Sequence, residues 1–283
     1  MEIGLQYTTE KVANNTIEKT TKEYHKLSIQ VSLNGLSFCI VDTLTNKVLQ
    51  SETSVFETER TPHGLQKGLV ALIDKNDIAS KIFVEVIVIH RNKLFSLVPK
   101  PLFDTNELAN YLKFNTRILA NDHLAFDEIE SYDMMNVYVP FTNVNNYIYD
   151  LFGEFTFKHS GTVMVESLLG TQNRNKDSIC YVHIAHQQME ITVIQNKTLL
   201  LYNSFEFNTK EDFIYYLLFT FEQLKLDTES TPLKLFGDVE EGDRIYDICY
   251  EYVNKVSIFA PSINSYPMDF DQESIDFTVL NSL

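Results

Sequence analysis

The stretch LSIQVSLN (27–34) alternates strictly, with Leu27, Ile29, Val31 and Leu33 on one side and Ser28, Gln30, Ser32 and Asn34 on the other. A period of two marks a strand with one face on a core and one toward water. Asn34-Gly35 follows at once, a dipeptide suited to a type I′ hairpin because that turn needs positive φ at both central positions. The chain is expected to return through LSFCIVD, turn near Thr45-Asn46 and run back as KVLQSETSVF. The same shape recurs half a chain later. CYVHIAHQ and MEITVIQ pair across a turn, and an Asn196-Lys197 turn leads into TLLLYNSFEF.

Helices are predicted between and after these strands. Thr61 can cap one with Pro62 at its first position, and FVEVIVIH (83–90) is a near-continuous apolar run of the kind covered on both faces. HRNK (90–93) reads as a solvated hairpin tip leading to LFSLVPKPLF, and Asp104 opens DTNELANYLKF as a helix. Residues 116–135 give no clear element. MNVYVPF is a strand, NVNNYIYDLFG a helix ended by Gly153, EFTFKH a strand and SGTVMVESLLG a helix. TQNRNKDS (171–178) is linker-like. After the second hairpin, Thr209 and Asp212 form a capping box for a helix over about 210–225, whose core positions are Phe213, Ile214, Leu217, Leu218, Phe221 and Leu224. LKLFGD is a buried strand, GDRIYDICYEYVNK a helix and KVSIFAP a last strand, and the acidic tail after Pro261 reads as irregular. The expected plan is therefore α/β: a loose arm over 1–22, one unit over 23–174 with an insertion near 104–135, and a second unit over 175–283.

Charge narrows the function classes. Lys plus Arg number 23 against 39 acidic residues, a net charge of −16, which argues against nucleic acid or an anionic membrane as the partner. No apolar run approaches the roughly 20 residues of a membrane span, and the start lacks the pattern of a secretory signal. Cys39, Cys180 and Cys249 have neither zinc-finger nor CxxC spacing, which suits reduced core thiols in a cytoplasmic protein and assigns no metal site.

The duplicated β-β-β-α-β-α order resembles the actin-like ATPase fold, two ribonuclease-H-like lobes with mixed sheets and helices on both faces. From NNYIYDLFG through CYVHIAHQQMEITVI to KVSIFAP the order resembles the actin-like scaffolds of pilus assembly and type II secretion. FSLVPKPLF and FTFKHSGTVMVESLL are similar to recurrent stretches of a bacterial family of this fold without an assigned activity. The resemblance implies an ATP–Mg²⁺ site, with an Asp before a Gly-rich hairpin in each lobe to position the metal. In this chain those positions fall on or near Val31 and at His183, so both carboxylates are expected to be lost. The polar groups left to a nucleotide are Asn34, Gly35 and Ser37 in the first unit and Gly237 and Asp238 in the second. A ribonuclease-H nuclease would need carboxylates on the first strand, and IQVSL has none.

Other clusters have plain explanations. His183 and His186 sit on a strand and its turn, facing different sides; with Gln187 they read as surface or inter-lobe groups. The carboxylates of DVEEGDR (238–244) complement a helix N-terminus, and His159-Ser160 lacks a nucleophile elbow. The expected function is that of a catalytically silent actin-like protein that binds a protein partner or a second copy of itself. The alternative is an ATP-binding switch with a non-standard phosphate site. An enzyme of unrelated chemistry finds no paired acid and base.

Overall fold

The computed structural model describes residues 24–114, 116–119, 122–129, 132–171, 177–260 and 275–283. The expected arm over 1–22, most of the linker and the tail over 261–274 lie outside them.

Both repeats fold alike. In the first, β1 (His25–Ser32), β2 (Gly35–Asp42) and β3 (Lys47–Val55) form an antiparallel meander. β4 (Glu85–His90) then joins parallel to β1, and β8 (Thr156–His159) parallel to β4, giving the order β3-β2-β1-β4-β8. In the second, β9 (Ser178–Ala185), β10 (Gln188–Gln195), β11 (Thr198–Glu206), β12 (Leu233–Gly237) and β13 (Val256–Ile258) repeat that arrangement as β11-β10-β9-β12-β13. The repetition extends to an irregularity: each outer ladder shifts register at the equivalent place, between Ile40 and Val41 and between Val193 and Ile194. A third, small sheet pairs β5 (Phe95–Pro99), β7 (Met134–Tyr138) and β6 (Ala125–Ile129) in that order. It draws on the stretch over 116–135 that has no periodicity of its own, because β6 is short and borrows its register from β7.

Helices cover both faces of each large sheet. α1 (Pro62–Lys75), capped by Thr61 Oγ1 accepting from the Gly64 amide at 3.2 Å, and α3 (Thr142–Phe152) pack on one face of the first. α2 (Leu108–Leu112) packs on the small sheet. α5 (Lys210–Gln223) starts with the predicted Thr209/Asp212 capping box and, with α6 (Arg244–Tyr252), covers one face of the second sheet. Phe213, Leu217 and Phe221 are buried there, each such side chain contributing roughly 1.5–3 kcal/mol when withdrawn from water. The remaining faces are exchanged. α4 (Ser160–Gly170) leaves β8 of the first sheet and packs on the second, against Tyr181, Ile194 and Tyr202. α7 (Phe277–Asn281) comes after the second sheet and packs on the first, against Cys39, Val41, Ile87 and Ile89.

Several expectations need correction. The tail is not irregular throughout, since residues 277–281 form α7 and Ile275, Val279 and Leu280 are buried. That helix explains the second: the polar face of β1 is not solvated, and Ser28, Gln30 and Ser32 are all buried. Third, the first hairpin turn lies one residue earlier than the Asn-Gly signal. Ser32 pairs with Gly35, so the turn is Leu33-Asn34, and neither residue has positive φ. The Asn196-Lys197 turn does use the left-handed region at both positions, with φ of 49° and 61°. Helix α2 and the short turn before it replace the single long helix expected from Asp104.

Candidate functional site

The exchanged helices bring the tips of β1–β2 and β9–β10 face to face. Their registers define equivalent residues. Ser32 pairs with Gly35 across the first tip, and Ala185 with Gln188 across the second. The Arg91 amide donates to the Val31 carbonyl at 2.9 Å, as the Asp238 amide does to Ile184 at 2.8 Å. Gln30 is thus the counterpart of His183, Ser37 of Glu190 and Arg91 of Asp238. The equivalent of His183 on the first strand is therefore Gln30, next to Val31, which points into the apolar core.

A cavity of about 110 Å³ lies between the tips. Asn34, Gly35, Ser37, His183, His186, Gly237 and Asp238 all line it, whereas Gln187 does not. The structure adds Gln30, Arg91, Asp276 and Phe277 to the lining. Each tip is braced by a side-chain oxygen that takes up turn amides. Ser32 Oγ accepts from Asn34 N at 3.2 Å and Gly35 N at 3.0 Å. At the other tip, Asp238 Oδ2 accepts from His186 N at 2.7 Å. Gly237 is required twice over: its φ is +90°, and a Cβ there would stand 2.1 Å from the Ile184 carbonyl.

Behind the tips is a buried ionic cluster drawn from both sheets and the C-terminal segment. Arg91, read from the sequence as part of a solvated tip, is 6% exposed. HRNK is not a hairpin at all, because β4 and β5 belong to different sheets and the chain turns inward between them. Arg91 Nη1 donates to Asp276 Oδ2 at 3.1 Å, and Nη2 lies 3.4 Å from Glu190 Oε2. Glu190 also meets His183 Nδ1 at 2.9 Å and accepts from the Tyr202 hydroxyl at 2.7 Å. Burial pushes the Glu190 carboxyl up, but Arg91 and the His183 and Tyr202 contacts outweigh it and hold the group well below the carboxylate range. Asp276 is likewise lowered against its burial, mainly by Arg91, and the paired carboxylates raise Arg91 despite its burial. Arg91 Nε and Nη2 and Ser37 Oγ are buried without a hydrogen-bond partner. Lys93 pairs with Glu206 and ties the β4–β5 connection to β11.

A second polar group anchors the small sheet to α4. Asp127 on β6 accepts from the His159 amide (2.8 Å), Thr162 Oγ1 (2.7 Å) and the Tyr138 hydroxyl (3.0 Å). Burial nonetheless raises its carboxyl to about 6. His159 Nδ1 accepts from the Gly161 amide, and its Nε2 faces the Asn92 carbonyl at 3.1 Å, a neutral ring whose pKa burial lowers to about 4. His90 accepts from the Phe141 amide and bonds Asn145, and burial lowers it to about 3. These histidines are structural. Among the described residues no three His, Cys, Asp or Glu side chains come together as a metal site. The cysteines are buried and unpaired, with burial raising Cys39 and Cys249 to about 12. No helix of the described residues is long and apolar enough to cross a membrane.

Sequence reasoning missed Gln30, Arg91, Glu190, Tyr202 and Asp276. For Glu190 a signal existed: it is the single charged residue of its strand, set between Met189 and Ile191. For Asp276 none did.

Comparison with known proteins places this architecture. No curated protein matches the chain in sequence. Among solved structures, a Bacteroides thetaiotaomicron protein with actin-like ATPase fold and unknown function superposes with a TM-score of 0.74 at 22% identity, over 88% of this chain and 95% of that one. The PilM-PilN type IV pilus biogenesis complex gives 0.61 at 9% identity, over 90% and 96%. The cytoplasmic domain of EpsL from the type II secretion system of Vibrio cholerae gives 0.46 at 11% identity, over 91% and 93%. The fold is the actin-like ATPase fold. Residues 14–256 match the family described as protein of unknown function (DUF3822), and the chain belongs to that family.

Proposed function

We propose that this chain is a catalytically silent member of the actin-like fold that works in the cytoplasm as a protein-binding or scaffolding module. The observation that carries the reading is that the chain's own groups fill the place between the two hairpins. Gln30 and His183 stand at equivalent positions where the resemblance implies metal-positioning carboxylates. The turn amides that would cradle phosphates are engaged by Ser32 and Asp238. The Asp276 carboxylate lines the cavity and the buried Glu190 lies behind it, and both oppose a polyphosphate. Room of about 110 Å³ is small beside the roughly 300–1,000 Å³ of ordinary ligand pockets. The residues do not fit ATP–Mg²⁺. In an actin-like ATPase a nucleotide bridges the lobes; here Arg91, Glu190 and Asp276 supply the bridge. PilM, which shares the fold, occurs in a complex with PilN, and a protein partner for this chain is read by that likeness.

The competing reading, a nucleotide switch, draws on the convergence of Asn34, Gly35, Ser37, Gly237 and Asp238 on one cavity. Calorimetric and thermal-shift titration with ATP and ADP, with and without Mg²⁺, separates the two, since a ligand that binds the folded chain raises its stability by mass action. The scaffold reading expects no stabilisation at millimolar nucleotide and no ATP turnover. Turnover that needs Mg²⁺ and is lost in Gly237→Ala would overturn it.

A further inference from the structure

The segment over 275–283 does more than close the fold. Asp276 Oδ2 receives Arg91 Nη1 and Gln30 Nε2, both at 3.1 Å, while Oδ1 caps α7 by accepting from Thr278 N at 2.9 Å and Val279 N at 3.3 Å. Phe277 packs edge-on to Phe236 of the second sheet with ring centres 5.1 Å apart, and Ile275, Val279 and Leu280 sit among Cys39, Val41, Ile87 and Ile89 of the first. The pattern held is an acidic helix cap followed by apolar residues one, three and four positions on. One short helix touches both sheets at their junction.

Two features mark this seat as exchangeable rather than sealed. The resident leaves Arg91 Nε and Ser37 Oγ without hydrogen-bond partners and Arg91 Nη2 with only the 3.4 Å ion pair to Glu190, although Arg91 and Ser37 line the cavity beside Asp276. Buried donors left open are satisfied in stable proteins by some acceptor, so an occupant with one more acceptor at this point binds better than the chain's own. The resident is also short: α7 has five residues, and a single short helical turn opens locally at lower cost than a long core element.

We propose that the inter-lobe cleft is a recognition site for an acidic residue heading an apolar helical turn, that residues 275–283 are its resident ligand, and that a partner protein carrying the same pattern displaces them. This rests on the protein-binding reading above and names its site. An occupant that binds both sheets at once would also read and set their mutual orientation.

The test uses the full chain and a fluorescently labelled synthetic peptide, IDFTVLNSL, copied from residues 275–283. In Asp276→Asn the helix cap survives, because Asn caps well, but the charge opposite Arg91 is gone. This variant should bind the peptide at least tenfold more tightly than the unaltered chain, and a peptide with its Asp changed to Ala should not bind. Equal affinity of variant and parent, both folded by circular dichroism, overturns the proposal. If the variant does not fold, hydrogen exchange on the unaltered chain decides. Amides of α7 should exchange at least a hundredfold faster than those of α4, and equal protection makes the segment an integral part of the core and ends the idea. A concentration-dependent dimer lost in Asp276→Asn would identify the occupant as a second copy and overturn the partner form. None of these failures touches the nucleotide titration, so the scaffold reading stands or falls separately.

Discussion

The two hairpin tips have one register and two chemistries. At the first, Ser32 on the strand itself braces the turn, and Gly35 is needed for clearance, since a Cβ there would lie 2.8 Å from the Ser54 carbonyl. At the second, the brace comes from Asp238 just past the end of β12, and the indispensable glycine is Gly237, the last residue of that strand. His186 carries a positive φ of 55° in a turn with no glycine. The lesson is that the repeated skeleton is specified by ladders and bulges, while the tips keep the same register with different side chains.

The largest way to break the equivalence is to remove the charge that links both halves. Arg91→Met leaves Glu190 and Asp276 buried without their cation, and stability should fall by about 3–5 kcal/mol in urea unfolding. The second is acid. His90 and His159 are held neutral when folded, with pKa values lowered to about 3 and about 4, but protonate near 6.5 when unfolded. Their stabilisation is lost as pH falls below 6.5, by about 4 kcal/mol for the pair at pH 5 at ~1.36 kcal/mol per unit and group. Asp127, raised to about 6, acts oppositely: its folded form prefers the proton, so it regains about 1 kcal/mol between pH 6 and 5. Asp127→Asn should therefore steepen the acid loss, and an unchanged slope would remove Asp127 from the account.

Smaller substitutions sharpen the contrast between the tips. Gly237→Ala meets both a left-handed backbone and a carbonyl, and should cost about 2–3 kcal/mol, against about 1 for Gly35→Ala, where φ is ordinary and only clearance is lost. The smallest effect has opposite signs at the two turns. His186→Gly relieves a positive φ and should stabilise by about 0.5 kcal/mol, whereas Asn34→Gly should destabilise by a similar amount through added freedom in the unfolded chain. Thermal midpoints of the paired variants measure both.

Much of this molecule is written locally. Alternation placed the strands of both meanders, Thr61-Pro62 and Thr209-x-x-Asp212 placed two helix starts, and Gly153 ended a third. Those signals depend on neighbours in the chain, so composition and spacing suffice to read them. The Asn34-Gly35 signal misled because Gly35 pairs with Ser32 and is already part of β2, so the reversal falls on Leu33-Asn34. Gln30 and Ser28 read as a wet face because their cover arrives from residues 276–282, nearly the whole chain away. Arg91 looked like a surface charge until Glu190 and Asp276 were brought to it from two other elements.

The sequence by itself therefore determined the repeated α/β skeleton and the absence of acidic residues from the first strand's tip. Only the tertiary structure decided what lies between the tips. Which helix covers which sheet, and which carboxylates meet the buried Arg91 guanidinium, depend on contacts remote in sequence, where no local periodicity carries information.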